Sequence, residues 1–169
     1  MVLERVAGRS YEFHPQELLK VFYGGAESVE RSALVGTDAL YTCVGVVLLD
    51  EDVVSLAHFP VEGRFKIIGN GVQFFGKENR TFGELAELLF SKHGPVTEQT
   101  AAVIVGGVEG DSDELIGRLE EELRRRGVNN ISRKGPHSQK VEWDLRVRQG
   151  EVTFSARRRP QSAIFESNF

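Results

Sequence analysis

The clearest pattern in the chain is a pair of apolar, β-branched runs on either side of an acidic stretch. Residues 44–49 and 53–57 flank the acidic residues 50–52, which predicts strand, tight turn and strand. A turn centred between the first two acidic residues would place Cys43 opposite His58 in the hairpin. Directly opposed side chains have Cβ atoms about 4.5 to 5.5 Å apart, so this register would bring a thiol next to an imidazole.

Two later stretches have helical periodicity and helix-start signals. Thr81 and Glu84 form a capping box that begins a helix ending at Gly94. A second helix is predicted from near Asp111 to Gly127. The expected core stripes of the two helices are Leu85, Leu88 and Leu89, and Leu115, Ile116, Leu119 and Leu123.

A third, shorter helix is predicted near the N-terminus, from His14 to Tyr23. Pro15 suits its first turn, and the pair at residues 24–25, both glycines, suits its end. Residues 2–6 could form a short strand before it. This region is therefore predicted to be an N-terminal extension with a short helix.

The remaining strand signals lie in the second half of the chain. Residues 101–105 form a short apolar run, and residues 141–147 alternate apolar and polar as a half-buried strand does before a turn and a partner strand at 152–156. Weaker signals occur at 65–68 and 128–133. Since strands and helices mix without strict alternation, the predicted class is α+β, with a mostly antiparallel or mixed sheet core flanked by helices.

The length of 169 residues suits a single domain with its own core. Within it, residues 1–35 are expected to form the extension, 36–156 the core and 157–169 a polar tail. With 21 basic and 25 acidic residues and a net charge of -4, nucleic acid is not an expected partner. No apolar run approaches the roughly 20 residues needed to span a bilayer, so a cytoplasmic protein without membrane insertion is expected.

The candidate chemistry centres on Cys43, the only cysteine, which cannot form an internal disulfide. It is either a small buried hydrophobe or a nucleophile, and the residues alone favour packing. Gly45 lies two residues further along the same face and would leave space for a substrate group. The other histidines, His14, His93 and His137, lack metal-ligand spacing, so structural or surface roles are expected and neither a metal nor a cofactor is predicted.

The two glycines before the second helix, Gly106 and Gly107, could suggest a phosphate site, because helix N-termini present free N–H groups. However, four acidic residues crowd this helix start and would repel a phosphate: Glu109, Asp111, Asp113 and Glu114. A packing role or a wall of an active site is the better interpretation.

Residues 37–60 resemble the CheD family, the chemoreceptor glutamine deamidases. In that family a threonine comes six residues before the cysteine, and a histidine follows in an Ala-His or Asn-His step; here Thr37 lies six residues before Cys43, and Ala57 precedes His58. A looser likeness extends over residues 36–155. The Gly-x-Gly-Ser approach to the cysteine in the family is replaced by Ala-Leu-Tyr-Thr at residues 39–42.

The resemblance implies a cysteine-dependent amidohydrolase that deamidates glutamine side chains of a partner protein, with chemoreceptors as the family's substrates. Cys43 would be the nucleophile, His58 would take its proton, and Thr37 would orient the imidazole. An oxyanion site or pocket wall is expected at Thr42, Gly45, Gly106 and Gly107. The alternatives are a deamidating toxin of the cytotoxic necrotizing factor type, a protein N-terminal asparagine amidohydrolase, and an inactive CheD-like module that only binds protein.

Overall fold

The computed structural model describes residues 17–61, 80–139 and 141–157. These residues form nine strands and two helices. The strands are β1 (Leu18–Lys20), β2 (Ala26–Glu30), β3 (Leu34–Leu40), β4 (Val44–Leu49), β5 (Val53–Phe59), β6 (Ala101–Gly106), β7 (Asn130–Lys134), β8 (Glu142–Arg148) and β9 (Glu151–Arg157), and the helices are α1 (Phe82–His93) and α2 (Asp113–Arg125). The predicted single-domain α+β class with mixed sheets is confirmed.

The strands form two sheets, and the five-stranded sheet is the central layer. Its order is β2-β5-β4-β6-β7, and the four-stranded sheet has the order β1-β3-β8-β9. One face of the central sheet carries Val46 and packs in a core with both helices. The other face carries Val47 and packs in a second core with Leu145 of the four-stranded sheet. Both faces are therefore buried, which explains why β4 is a continuous apolar run.

The predicted hairpin forms, but its register differs from the prediction by two residues. Gly45 lies opposite His58, and the N–H of Asp50 donates to the carbonyl of Val53 over 3.0 Å. The turn is thus centred one residue later than expected, and the predicted direct pairing of Cys43 with His58 is wrong. Because side chains alternate with a period of two, the shift leaves both residues on the same face as diagonal neighbours.

The helix predicted up to Tyr23 is wrong where the structure describes it. Leu18–Lys20 is strand β1, which pairs in parallel with β3. The pairing with β3 makes the backbone hydrogen bonds that a helix would have formed within the segment. The local helix signals are therefore outweighed by pairing with a strand further along the chain. The first residues of that helix and the strand signals at 2–6 and 65–68 lie outside the described residues. Residues 17–35 contribute strands to both sheets.

Both later helices form where they were predicted. Thr81 and Glu84 make the two hydrogen bonds of the capping box, and α1 is followed by Gly94. Helix α2 begins two residues later than predicted, and the hydroxyl of its N-cap residue Ser112 donates to the carbonyl of Thr42 instead of capping the helix. Its predicted stripe is buried in the helix-side core. In the part of the chain that is described, neither helix is long and apolar enough to cross a membrane.

Candidate active site

A buried imidazole is held between the two sheets. His58 on β5 faces Thr37 on β3, and the distance from Thr37 Oγ1 to His58 Nδ1 is 2.7 Å. The Thr37 hydroxyl also donates to the carbonyl of Val21 over 2.7 Å. Because this hydroxyl has a single proton, His58 Nδ1 must carry a proton of its own and donate it to Thr37. In the neutral ring Nε2 is then unprotonated, and it has no hydrogen-bond partner among the described residues.

Burial keeps this imidazole neutral. His58 is 3% exposed, and its burial lowers its pKa to about 4, against the smaller opposing effect of the charge on Asp38. Asp38 is itself paired with Lys20 at 2.6 Å and with Arg146 at 2.8 Å. At neutral pH His58 therefore presents a lone pair on Nε2, which is the form a general base requires.

Cys43 lies in the bend just before β4 and is buried in the same core between the sheets. Burial raises the pKa of its thiol to about 12, while hydrogen bonds from the Tyr23 hydroxyl and the backbone N–H of Val61 act in the opposite direction. The resting sulfur is thus a protonated thiol. Desolvation of the thiolate by burial therefore outweighs the two hydrogen bonds to the sulfur.

Tyr23 is the site residue that the sequence did not reveal. Its side chain is hydrogen-bonded to Cys43, and its ring centroid is 5.4 Å from that of His58. The two glycines after it pair with the backbone of His58: Gly24 N–H donates to the His58 carbonyl over 3.0 Å, and Gly25 accepts from the His58 N–H over 3.1 Å. These glycines were interpreted as a helix end, although they mark a segment that runs beside β5.

The space above Gly45, where the sequence predicts room for a substrate group, is occupied by leucine side chains. A Cβ built on Gly45 would lie 2.9 Å from Cδ2 of Leu145 and 3.3 Å from Cδ1 of Leu40. The missing side chain makes room for these two leucines, which close the core between the sheets. Gly45 therefore allows the two sheets to pack closely, and its place in a pocket wall stays a prediction.

The other residues predicted as a pocket wall lie next to the bend that carries Cys43 and to its neighbours Val44 and Ser112. The Thr42 carbonyl accepts from Ser112 Oγ over 2.8 Å. Gly106 has a positive φ of 96°, and a Cβ there would lie 3.3 Å from the Cys43 carbonyl oxygen. Gly107, with φ of 91°, would clash with Ser112 if it carried a Cβ, at 2.9 Å. These contacts fix the bend that carries the thiol.

A scan against models of known protein families matches none, and no curated protein matches the chain. The resemblance of residues 37–60 to the CheD family therefore stays a prediction from the sequence. Across 17–61, 80–139 and 141–157, no group of histidine, cysteine, aspartate and glutamate side chains is arranged to hold a metal ion.

Proposed function

We propose that the chain is a cysteine-dependent amidohydrolase that converts the carboxamide of a protein glutamine to a carboxylate and releases ammonia. The observation that carries the proposal is the state of His58. Its Nδ1 is fixed by Thr37, and its buried Nε2 has no hydrogen-bond partner among the described residues. The hairpin register puts the His58 side chain on the sheet face that carries Cys43. An unsatisfied buried nitrogen costs stability, and a catalytic role is one reason for a protein to retain it.

In the proposed first step the proton of the Cys43 thiol moves to His58 Nε2 as the sulfur attacks the amide carbon. The C–S bond forms, and the electron pair of the carbonyl moves to the oxygen, where backbone N–H groups, including that of Cys43, stabilise it. The C–N bond then breaks as the imidazolium returns the proton to nitrogen, and ammonia leaves. Water, deprotonated by His58, hydrolyses the thioester and regenerates the thiol.

The burial of the site constrains the timing of the proton transfer. Burial raises the pKa of Cys43 to about 12 and lowers that of His58 to about 4, so both charged forms are disfavoured in the resting site. A standing thiolate–imidazolium pair is therefore not the resting state. The mechanism requires the proton to move during the attack, when the developing charge passes from sulfur to the substrate oxygen.

The same burial favours one alternative, a non-enzymatic module that binds protein. Cys43 is 8% exposed and packs with Leu40 and Val47, as a structural cysteine would. In this alternative the thiol fills space between the sheets and His58 closes the same core. The two functions differ in one measurable property, the release of ammonia.

The test compares ammonia release by the full-length protein and its variants from casein and from a blocked glutamine dipeptide, with the asparagine dipeptide alongside. The unmodified protein is expected to release ammonia, and Cys43→Ala and His58→Gln are expected to abolish release while retaining the native circular dichroism spectrum. His137→Gln is the matched control, because it removes a different imidazole, which stacks on Trp143 with ring centroids 4.1 Å apart. Undiminished release by the first two variants would exclude the mechanism, and no release from any substrate would favour the binding module.

A further inference from the structure

We infer that Tyr23 is a further catalytic residue of this site, whose phenol hydroxyl donates a hydrogen bond to Cys43 Sγ and stabilises the negative charge that develops on sulfur. This role rests on the proposed function, because it takes Cys43 as the nucleophile. It also adds a residue from outside the segment that resembles the deamidases, 20 positions before the cysteine.

The backbone around Tyr23 is fixed to the two strands that carry the other site residues. Val21 N–H donates to the carbonyl of Gly36 on β3 over 2.8 Å, and the Val21 carbonyl accepts from Thr37. On the other side, Gly24 and Gly25 bond the backbone of His58 on β5. Tyr23 is thus held from both sheets, and its hydroxyl is positioned by the same scaffold that positions the imidazole.

Two donors converge on a single sulfur. The Tyr23 hydroxyl and the Val61 N–H both bond Cys43. A neutral thiol is only a weak acceptor, whereas a thiolate is a strong one, so two donors favour the anion over the thiol. When the S–H bond breaks, the proton forms an N–H bond at His58 Nε2, and the electron pair stays on the sulfur between these donors.

The phenol is in the protonated form that a donor requires. Tyr23 is 8% exposed, and burial, together with the proximity of Cys43, raises its pKa well above the usual range. A tyrosine that only packs in the core also finds a hydrogen-bond partner. The difference is that a catalytic hydroxyl changes the reactivity of the sulfur.

Alkylation by iodoacetamide tests this directly, because Cys43 is the only cysteine and intact mass reports one adduct. Rates are compared for the unmodified protein, Tyr23→Phe and the matched control Tyr41→Phe, which loses the same hydroxyl in the bend before Cys43. Below the thiol pKa the rate follows the thiolate fraction, so Tyr23→Phe is expected to react about tenfold or more slowly, as expected for a hydrogen bond to a charged group. Equal rates for Tyr23→Phe and the unmodified protein would overturn the inference, as would an equal slowing by Tyr41→Phe.

A second measurement covers the case in which Tyr23→Phe does not fold. The chain has three tyrosines, and their alkaline ultraviolet titration is recorded with Cys43 present and in Cys43→Ala. Removal of the sulfur is expected to move the titration of one tyrosine to lower pH, and an unchanged curve would contradict the contact. A Tyr23 effect on alkylation without ammonia release would reject the proposed function alone, whereas ammonia release without a Tyr23 effect would reject this inference alone.

Discussion

Two buried histidines lie on opposite faces of the central sheet and differ in how their ring nitrogens are used. His93, the last residue of α1, donates from Nε2 to Asp50 Oδ2 over 2.6 Å, and its Nδ1 is 2.7 Å from Ser55 Oγ. His58 bonds Thr37 through Nδ1 only. Both residues are buried histidines. What distinguishes the structural histidine from the candidate base is therefore the number of ring nitrogens that have a hydrogen-bond partner.

The two rings also carry their proton on different nitrogens. A carboxylate only accepts, so His93 has its proton on Nε2 facing Asp50, and in the neutral ring Nδ1 accepts from the Ser55 hydroxyl. His58 has its proton on Nδ1, facing Thr37. The hydrogen-bond partner of one ring nitrogen therefore determines which nitrogen carries the proton. Of these two rings, His58 is the one left with an unpaired nitrogen that can receive a proton.

The arrangement of Ser55, His93 and Asp50 resembles a catalytic triad, yet its serine is not accessible. Ser55 is 0% exposed, and its hydroxyl is also 2.5 Å from that of Ser28. Thr100 donates to the same carboxylate over 3.0 Å. This network joins the end of α1 to the β4–β5 turn and to β2. The triad-like geometry therefore has a structural role, and we call the Ser55, His93 and Asp50 network the clamp.

The largest expected effect comes from His93→Ala. The substitution leaves the Ser55 hydroxyl and the Asp50 carboxylate without their ring partner and opens a cavity under α1, so a loss of about 3 to 5 kcal/mol in the free energy of unfolding is expected. Urea denaturation measures it. The matched control is Lys92→Ala, whose side chain is exposed in the same last turn and forms an ion pair with Glu27, and which should cost about 0.5 kcal/mol or less. Equal losses for the two variants would contradict the clamp.

The next effect is the pH dependence that the neutral His58 imposes. Its pKa is lowered from 6.5 to about 4, so between these values the unfolded state binds more protons than the folded state. Stability is therefore lost as pH falls from about 6.5 to about 4, by about 3 kcal/mol in total. Unfolding free energies across this range should fall less steeply in His58→Gln than in the unmodified protein. Parallel curves would show that His58 is not buried as a neutral ring.

Thr37→Val should have a smaller effect on stability and a large one on activity. The variant keeps the shape but leaves the Val21 carbonyl and the His58 Nδ1–H without their shared hydroxyl, at a cost of about 2 kcal/mol. The ring also loses the contact that fixes its proton on Nδ1, so ammonia release should fall, and Thr37→Ser should restore it. Thr153→Val, an exposed threonine in the same sheet, is the control for both readouts. A fully active Thr37→Val would remove the proposed orienting role.

Each element that was predicted correctly is marked by residues that lie close together in the sequence. The capping box of Thr81 and Glu84 and the acidic turn between two apolar runs are such signals, and both gave the observed elements. Strand β1 was missed because its partner is β3, and no local pattern shows that pairing. The hairpin register was missed by two because Asp50, interpreted as a central turn residue, still donates its N–H across the hairpin to Val53. Its side chain bonds His93 and Thr100.

The candidate site was predictable in part for a similar reason. A register error of two preserves side-chain parity, so Cys43 and His58 stay on one face, and the resemblance to the deamidases pointed to Thr37, which the structure bonds to the imidazole. Tyr23 and the packing over Gly45 depend on how the two sheets stack. Such contacts join distant segments, and a single sequence carries no local pattern for them.

The smallest effect is expected at the far end of the His93 network. In Ser28→Ala the Ser55 hydroxyl still donates to His93 Nδ1, so only one part-buried hydrogen bond is lost, at less than about 1 kcal/mol. If the network acted instead as one cooperative unit, the loss at Ser28 would approach that of His93→Ala. A double-mutant cycle of Ser28→Ala with His93→Ala, measured by urea denaturation, separates these cases. A coupling energy near zero would locate the clamp in the Ser55, His93 and Asp50 contacts alone.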